Sequence, residues 1–337
     1  MRMKIWIVLL GFVRVIADDN SGKTEYNLEP YRELCSLLKI AVGNWVEVQK
    51  RDPSDPLKRA LGRTIFGSTD GGSLDDLKGL PADYTKGGAE RGNFCGQPYS
   101  EPGYFSAPHR WSGHSAPHNL VCLCTKGENG YPVNISENHD TLCGKTSDAL
   151  GAGTEGWTKS GSGKTQMEAT WKEVVTHCLD GEVGKDLQKA LKTFTGNLVN
   201  KPEMANPNRY QLGYGEPGDV YTCTGSPPRG VCVMYYNSTD PTKPQPWWSD
   251  LEKAIKEDEV IQEQKRLQQE EKRKKEEEAA RQDSPKAEVP KSTLLTTNNT
   301  EESNKDNLTD TIRKFNIKSG TPITPPSTWL LSAAILI

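Results

Sequence analysis

The chain has 337 residues and a formal net charge of −3, with 42 Lys and Arg residues against 45 Asp and Glu residues. A balance this close to neutral gives no basis for predicting nucleic acid or an anionic membrane surface as a partner. The distribution of apolar, charged and cysteine residues along the chain is more informative than its total charge.

The first seventeen residues have the layout of a secretory signal peptide. Arg2 and Lys4 provide the positive start, and residues 5–13 form an apolar stretch. Ala17 then places a small residue directly before a cleavage site. We expect residues 1–17 to be removed and the remaining chain to be exported.

Two helical segments are predicted from narrow apolar stripes. The first stripe has a 4-3-4-3 spacing, stops before Pro53, and consists of Leu34, Leu38, Ala41, Trp45 and Val48. The second stripe pauses at residues 180–181 and consists of Met167, Trp171, Val174, Cys178, Val183, Leu187, Leu191, Phe194 and Leu198. Such stripes fit helices packed against each other or a partner chain, and equally fit ordinary amphipathic helices on a globular core.

Residues 62–163, which we call the head region, are rich in Gly, Pro and Cys and show little strand-like alternation. We expect this region to be loop-rich, to bury few large apolar groups and to depend on disulfides. Together with the two helical segments it forms one predicted ectodomain, residues 18–249.

The chain contains eight cysteines, an even number that predicts a disulfide framework in an exported protein. They are Cys35, Cys95, Cys122, Cys124, Cys143, Cys178, Cys223 and Cys232. Eight cysteines allow 105 pairings. Cys223 and Cys232 flank a Gly- and Pro-containing stretch, so we expect them to close a local loop, and the other pairings stay open.

Four Asn-X-Ser/Thr triplets agree with export, because this triplet is the acceptor for N-glycosylation. They begin at Asn134, Asn237, Asn298 and Asn307. The sequence leaves open which of the four carry a glycan.

Residues 250–281 are dominated by Glu, Lys, Arg and Gln and contain favourable i,i+4 pairs such as Glu252 with Lys256. We expect a solvated helix that acts as a spacer outside the core. Residues 282–319 are rich in Ser, Thr, Asn and Pro and predict a flexible stalk.

The C-terminal residues 328–337 are apolar and uncharged, but ten residues fall well short of the ~20 that a membrane-spanning helix needs. A small-residue cluster around Ser319 and Gly320 and a polar spacer precede this tail. This layout is typical of a glycosylphosphatidylinositol (GPI) attachment signal. We expect residues 320–337 to be replaced by lipid at Ser319, with Gly320 and Asn316 as alternatives.

A search for sites of chemistry leads us to expect no catalytic residue and no cofactor. Residues 160–165 (SGSGKT) resemble a phosphate-binding loop, but position 158, where that loop needs a glycine, is a threonine. We expect a lead into a helix that starts near Lys164. Neither a nucleophile elbow nor a paired-carboxylate segment is evident in the sequence, so we expect a protein that is not an enzyme.

The head region contains residue types that can bind a metal ion. The candidate ligands are His109, His114, His118, Cys122 and Cys124. The histidines alternate with prolines in a predicted loop, and cysteines of an exported chain are normally oxidised. We expect these histidines to bond to the backbone and to hold no metal.

One stretch goes beyond composition. Residues 109–124 (HRWSGHSAPHNLVCLC), with Cys95-Gly96 before them and Cys143-Gly144 after them, resemble the cysteine-bearing head of African trypanosome variant surface glycoproteins. The resemblance is strongest to the short B-type forms of the Trypanosoma congolense kind, with the LVCLC core as its most specific part.

This resemblance implies a mainly α fold, with an elongated antiparallel helical hairpin or coiled coil and a disulfide-stapled head. It also implies a homodimer that is GPI-anchored in the outer leaflet of the plasma membrane, exposed to host antibodies, and packed as a coat for immune evasion by antigenic variation. A GPI-anchored nutrient receptor of the same helical-bundle superfamily, binding a host carrier protein, is the alternative.

Overall fold

The computed structural model describes residues 23–86, 89–100, 110–133, 139–218 and 221–282. Several predictions lie outside these residues, namely those for the signal peptide, His109, Asn134, Asn298, Asn307, the stalk from residue 283 and the anchor sites Asn316, Ser319 and Gly320. The chain divides into two units, residues 1–277 and 278–337, and only residues 278–282 of the second unit are described.

The described part of the chain is mainly α, as predicted. Its helices are α1 Leu28–Val48, α2 Pro56–Phe66, α3 Arg91–Gly96, α4 Ala116–Cys124, α5 Lys164–Thr170, α6 Thr176–Cys178, α7 Leu187–Gly196 and α8 Trp247–Gln282. A π-helical turn, Trp171–Val175, joins α5 directly to α6. The strands are β1 Glu25–Tyr26, β2 Thr141–Leu142, β3 Val199–Asn200, β4 Arg209–Tyr214 and β5 Val231–Tyr236.

Helix α1 confirms the first predicted stripe, because all five of its stripe residues are buried. It packs against α2, α4, α6 and α7 and is the central helix of the described structure. Helix α2 follows after a short turn, with Pro56 in its first turn and the Asp55 carboxylate accepting a hydrogen bond from the Lys58 amide at 3.0 Å.

The second stripe is confirmed in two pieces that a loop separates. The continuous segment from α5 to α6 buries the four stripe residues before the loop, and α7 buries Leu187, Leu191 and Phe194 after it. Leu198 lies beyond α7 and is only partly buried, and Val183 is 80% exposed, so the assignment of Val183 to the stripe was wrong. The Glu182 amide donates to the Lys39 carbonyl of α1 at 3.0 Å. A Cβ on Gly43 would lie 2.1 Å from the Glu182 carbonyl oxygen, so glycine is what allows this loop to dock on α1.

A three-stranded antiparallel sheet in the order β3-β4-β5 is present and was not predicted. Strand β5 has the sequence VCVMYY, and all six of its residues are buried. It pairs with β4 on one side and packs against α3 and α4. A second, two-residue pairing joins β1 and β2 in parallel.

The described residues of the head region are loop-rich between short helices, as predicted, but they bury more large apolar groups than predicted. Helix α4 is buried along its whole length. The aromatic side chains of Tyr84, Phe94 and Trp157 are at most 2% exposed and pack against one another with ring centroids 5.8–5.9 Å apart. The expectation that this region buries few large apolar groups is therefore wrong.

The charged segment is helical, as predicted, but its start belongs to the core. Helix α8 begins three residues before the predicted boundary. Its first turns bury Trp247, Trp248, Leu251, Ala254 and Ile255. The expectation of a spacer outside the core holds only for the later turns, which are exposed from Gln262 to Gln269.

Within the described ranges, none of the helices is both long and apolar enough to cross a membrane.

Candidate functional site

All eight cysteines form disulfides, which gives the framework that the cysteine count predicts. The pairs are Cys35–Cys178, Cys95–Cys122, Cys124–Cys143 and Cys223–Cys232. The expected local loop between Cys223 and Cys232 is thus confirmed. The other three pairings join segments that sequence reasoning had left open.

Helix α4 is held by a disulfide on each side of its last turn. Cys122 bonds to Cys95 on α3, and Cys124 bonds to Cys143 just after β2. The spacing of two residues places the two sulfur atoms on different faces of the helix. The LVCLC core is therefore bonded covalently to a segment that precedes it in the sequence and to one that follows it.

Arg91 is fully buried at the C-terminal end of α4. Its guanidinium donates to the carbonyl oxygens of Cys122 at 2.7 Å and Thr125 at 2.9 Å, and more weakly to those of Lys126 and Trp157. None of these partners is an acid, and burial lowers the pKa of Arg91 to about 9. The guanidinium acts as a cationic cap on the last carbonyls of the helix.

His118 is buried in α4 and is a structural residue. Its Nε2 atom lies 2.8 Å from the Phe94 carbonyl oxygen, which only accepts, so Nε2 carries the hydrogen. Its Nδ1 atom then accepts from the Tyr84 hydroxyl at 2.6 Å. Burial lowers the pKa of His118 to about 3, and the nearby Arg110 cation adds to this shift.

A metal ion has no ligand set at this position. The sulfur atoms of Cys95 and Cys122 lie near His118, but they are bonded to each other and offer no thiolate. His114 lies one turn earlier, and burial lowers its pKa well below the usual range. His118 bonds to the backbone, as expected, although it does so from a helix and not from the predicted loop. For His114 the expectation was wrong, because its described hydrogen bonds join Nδ1 to the side chains of Ser115 at 3.1 Å and Arg110 at 3.4 Å.

Two asparagines connect α4 to the rest of the core, and sequence reasoning missed both. The Asn119 Oδ1 atom accepts from the Tyr235 hydroxyl at 2.8 Å and from the Trp247 indole at 2.7 Å. The Asn27 side chain donates to the carbonyls of Leu123 and Val231 at 2.8 and 2.7 Å. Neither asparagine lies in a recognisable motif, so only the three-dimensional structure identifies them.

The segment that resembles a phosphate-binding loop leads into α5, which begins at Lys164 as predicted. The hydroxyl groups of this segment form hydrogen bonds with the Thr158 hydroxyl just before it. Thr158 Oγ1 lies 2.8 Å from Ser160 Oγ and 2.9 Å from Ser162 Oγ. A Cβ on Gly163 would lie 2.4 Å from the Gly156 carbonyl, so the backbone here is packed against itself. The segment is therefore a folded turn that leads into α5, as predicted.

Helix α8 is attached to α2 and to the turn before it by two ion pairs. Arg63 pairs with Asp250, and Arg51 pairs with Asp258 at 2.5 Å. Burial raises the pKa of Asp250 although Arg63 opposes this effect. These pairs fix the direction in which α8 leaves the core.

Asn237, the one predicted glycosylation site among the described residues, follows β5 directly. Its backbone amide donates to the Asn208 carbonyl at 3.0 Å. It lines a cavity of about 300 Å³, together with Tyr99, Trp111 and Asp240. The remaining predicted sites for glycans and for the lipid lie outside the described residues.

Comparison with known protein families gives one match. The model of the trypanosomal VSG domain, of the B type, matches residues 31–278. No curated protein matches the chain at a significant level.

Proposed function

Because the chain belongs to the trypanosomal VSG domain family, we propose that it is a GPI-anchored variant surface glycoprotein that forms a protective coat on the cell. Membership of this family supports a role as a surface coat glycoprotein. We add to this role a lipid anchor, dense packing on the cell and antigenic variation.

The observation that carries the proposal is where the family match lies. Residues 31–278 contain all eight cysteines, α1 from Tyr31 onward, and the buried start of α8. The match therefore covers the disulfide-closed core and is not limited to one motif.

The packing suits a protein whose surface varies while its fold is kept. The buried side chains of Arg91, His118 and Asn119 hold α4 in place. Each of them forms a hydrogen bond with a backbone carbonyl oxygen of the core. Disulfides fix the segments that connect them. Exposed loops on such a scaffold tolerate substitution, which is what antigenic variation under antibody pressure requires.

The anchor and the assembly are proposed on narrower grounds. The small-residue cluster at Ser319 and the apolar end of the chain support lipid attachment and an extracellular location. The homodimer and the elongated helical hairpin come from the family, with α1 and residues 164–178 as the two helices of the hairpin. Their disulfide, Cys35–Cys178, supports this pairing. We propose no enzymatic activity.

Quantitative surface labelling tests the proposal. We expect the protein to be the most abundant polypeptide that a membrane-impermeant biotin reagent labels on intact cells, and to be distributed over the whole surface. A sparse protein confined to one membrane pocket would contradict the coat and favour a receptor.

A further inference from the structure

We propose that the cavity beside Asn237 is the docking site for the first sugar residues of the glycan carried by Asn237 itself. The inference rests on the proposed function only in so far as export brings the chain to the glycosylation machinery. It assigns a role to a cavity that neither the fold nor the coat function uses.

The cavity has the size and the chemistry of a carbohydrate site. Its volume of about 300 Å³ is at the lower end of the ~300–1,000 Å³ typical of small-molecule sites. The rings of Tyr99 and Trp111 line it and meet edge to face, with centroids 5.8 Å apart. Aromatic rings offer flat apolar surfaces that suit the C–H face of a pyranose.

Polar groups in the lining suit the hydroxyl groups of a sugar. Asn206 and Asp240 contribute an amide and a carboxylate. The Asp240 carboxylate is held in place because it accepts hydrogen bonds from the Thr242 amide at 2.9 Å and the Thr242 hydroxyl at 2.7 Å. A fixed acceptor of this kind orients a ligand at low entropic cost.

Asn237 is placed to deliver its glycan into the cavity. It is itself part of the lining, and its backbone is fixed by the hydrogen bond to Asn208. Within the described ranges, its side-chain amide takes part in no hydrogen bond, so the acceptor nitrogen is not committed elsewhere. Because the glycan is tethered at the rim, its effective concentration is high, and weak contacts are enough for docking.

The test is the rate at which a peptide N-glycosidase releases the glycan from Asn237 in the folded, full-length protein. The protein is produced in a trypanosomatid cell, and glycopeptide mass spectrometry measures the occupancy of Asn237 over time. A docked glycan is shielded from the enzyme. We therefore expect slow release from the unmodified protein.

Two variants expose the glycan by different means. Ala205→Trp fills the cavity from an exposed loop position, and Tyr99→Leu removes one aromatic face. We expect each to accelerate release about tenfold, the ratio that corresponds to ~1.4 kcal/mol of docking free energy. Tyr221→Ala is the matched control, because Tyr221 is 68% exposed and does not line the cavity.

Equal release rates in the unmodified protein and the folded Ala205→Trp variant would overturn the inference. So would the absence of a glycan at Asn237 in protein recovered from the cell surface, a result that leaves the coat function intact. Surface labelling of the same cells tests the coat function separately, since the release rate is measured on purified protein.

Discussion

Cys35 of α1 and Cys178 at the end of α6 are joined across 143 residues of sequence, with their Cα atoms 4.9 Å apart. The two disulfides of the head region lie inside the loop that this bond closes. The head region therefore contains two consecutive disulfide loops inside one outer loop, and the outer disulfide joins the two main helical segments.

Removing this bond is predicted to cost more stability than removing any local one. The inner disulfides shorten the loop to about 100 residues, for which the chain-entropy estimate is ~4.7 kcal/mol. We expect the free energy of unfolding of Cys35→Ala/Cys178→Ala to fall by about 4–5 kcal/mol in urea titrations.

The matched control is Cys223→Ala/Cys232→Ala, because this bond closes a separation of only 9 residues. Its loss is predicted to cost less than ~3 kcal/mol. A larger loss for the short loop than for the long one would contradict the proposed role of Cys35–Cys178.

A second prediction concerns the buried cation at the end of α4. Arg91→Met leaves the carbonyls of Cys122 and Thr125 without their donors, and each unsatisfied buried group costs ~1–3 kcal/mol. We expect a loss of at least about 3 kcal/mol in the free energy of unfolding. Arg32→Met is the control, because the Arg32 side chain is 60% exposed and, among the described residues, pairs with Glu29 alone. It should change stability by less than ~0.5 kcal/mol.

The buried histidines predict a loss of stability in acid. Burial lowers the pKa of His118 from 6.5 to about 3 in the folded state, so below pH 6.5 the unfolded chain binds a proton that the folded chain excludes. The contribution of His118 to stability is therefore constant above pH 6.5 and falls as the pH decreases toward 3. The slope is ~1.4 kcal/mol per pH unit for each such histidine.

Urea titrations between pH 7 and pH 4 measure this slope. His118→Gln, if it folds, is predicted to make the slope shallower, and His177→Gln, at an exposed position of α6, should leave it unchanged. Identical slopes in the original protein and the folded His118→Gln variant would show that this histidine is not excluded from protonation in the fold.

Helix α8 is predicted to consist of an essential start and a dispensable continuation. Trp247 is fully buried, and its ring packs against that of Phe194 with centroids 5.3 Å apart. Its indole N–H donates a hydrogen bond to the Asn119 side chain. Trp247→Ala should therefore cost ~3–5 kcal/mol by thermal or urea unfolding. Leu267→Ala, at a position that is 51% exposed, should be close to neutral. Equal effects would contradict this division of the helix.

The helical segments were predictable because their apolar residues follow one local rule, which is recurrence at intervals of three or four residues. The spacing of Leu34 to Val48 alone gave α1, and the same rule gave residues 167–178. The rule failed at Val183, where the chain leaves the helix so that Glu182 can bond to α1 beside Gly43. That contact depends on a residue 139 positions earlier, which local spacing does not encode.

The sheet and the α8 core were missed for different reasons. Strand β5 is apolar on both faces because it is buried on both, so it lacks the alternation by which a half-buried strand is recognised. In α8 the i, i+4 spacing of Trp247, Leu251 and Ile255 was present in the sequence, but the charged composition that follows concealed it. The disulfide partners and the roles of Arg91 and Asn119 depend on tertiary contacts and have no local signature.

The most direct test of the lipid-anchored coat is treatment of intact cells with phosphatidylinositol-specific phospholipase C. The account predicts that the enzyme releases the disulfide-bonded protein into the medium as the main surface polypeptide, ending at a residue in the cluster that includes Asn316, Ser319 and Gly320. A protein that stays with the cells, ends at Ile337 and carries no glycolipid would contradict it.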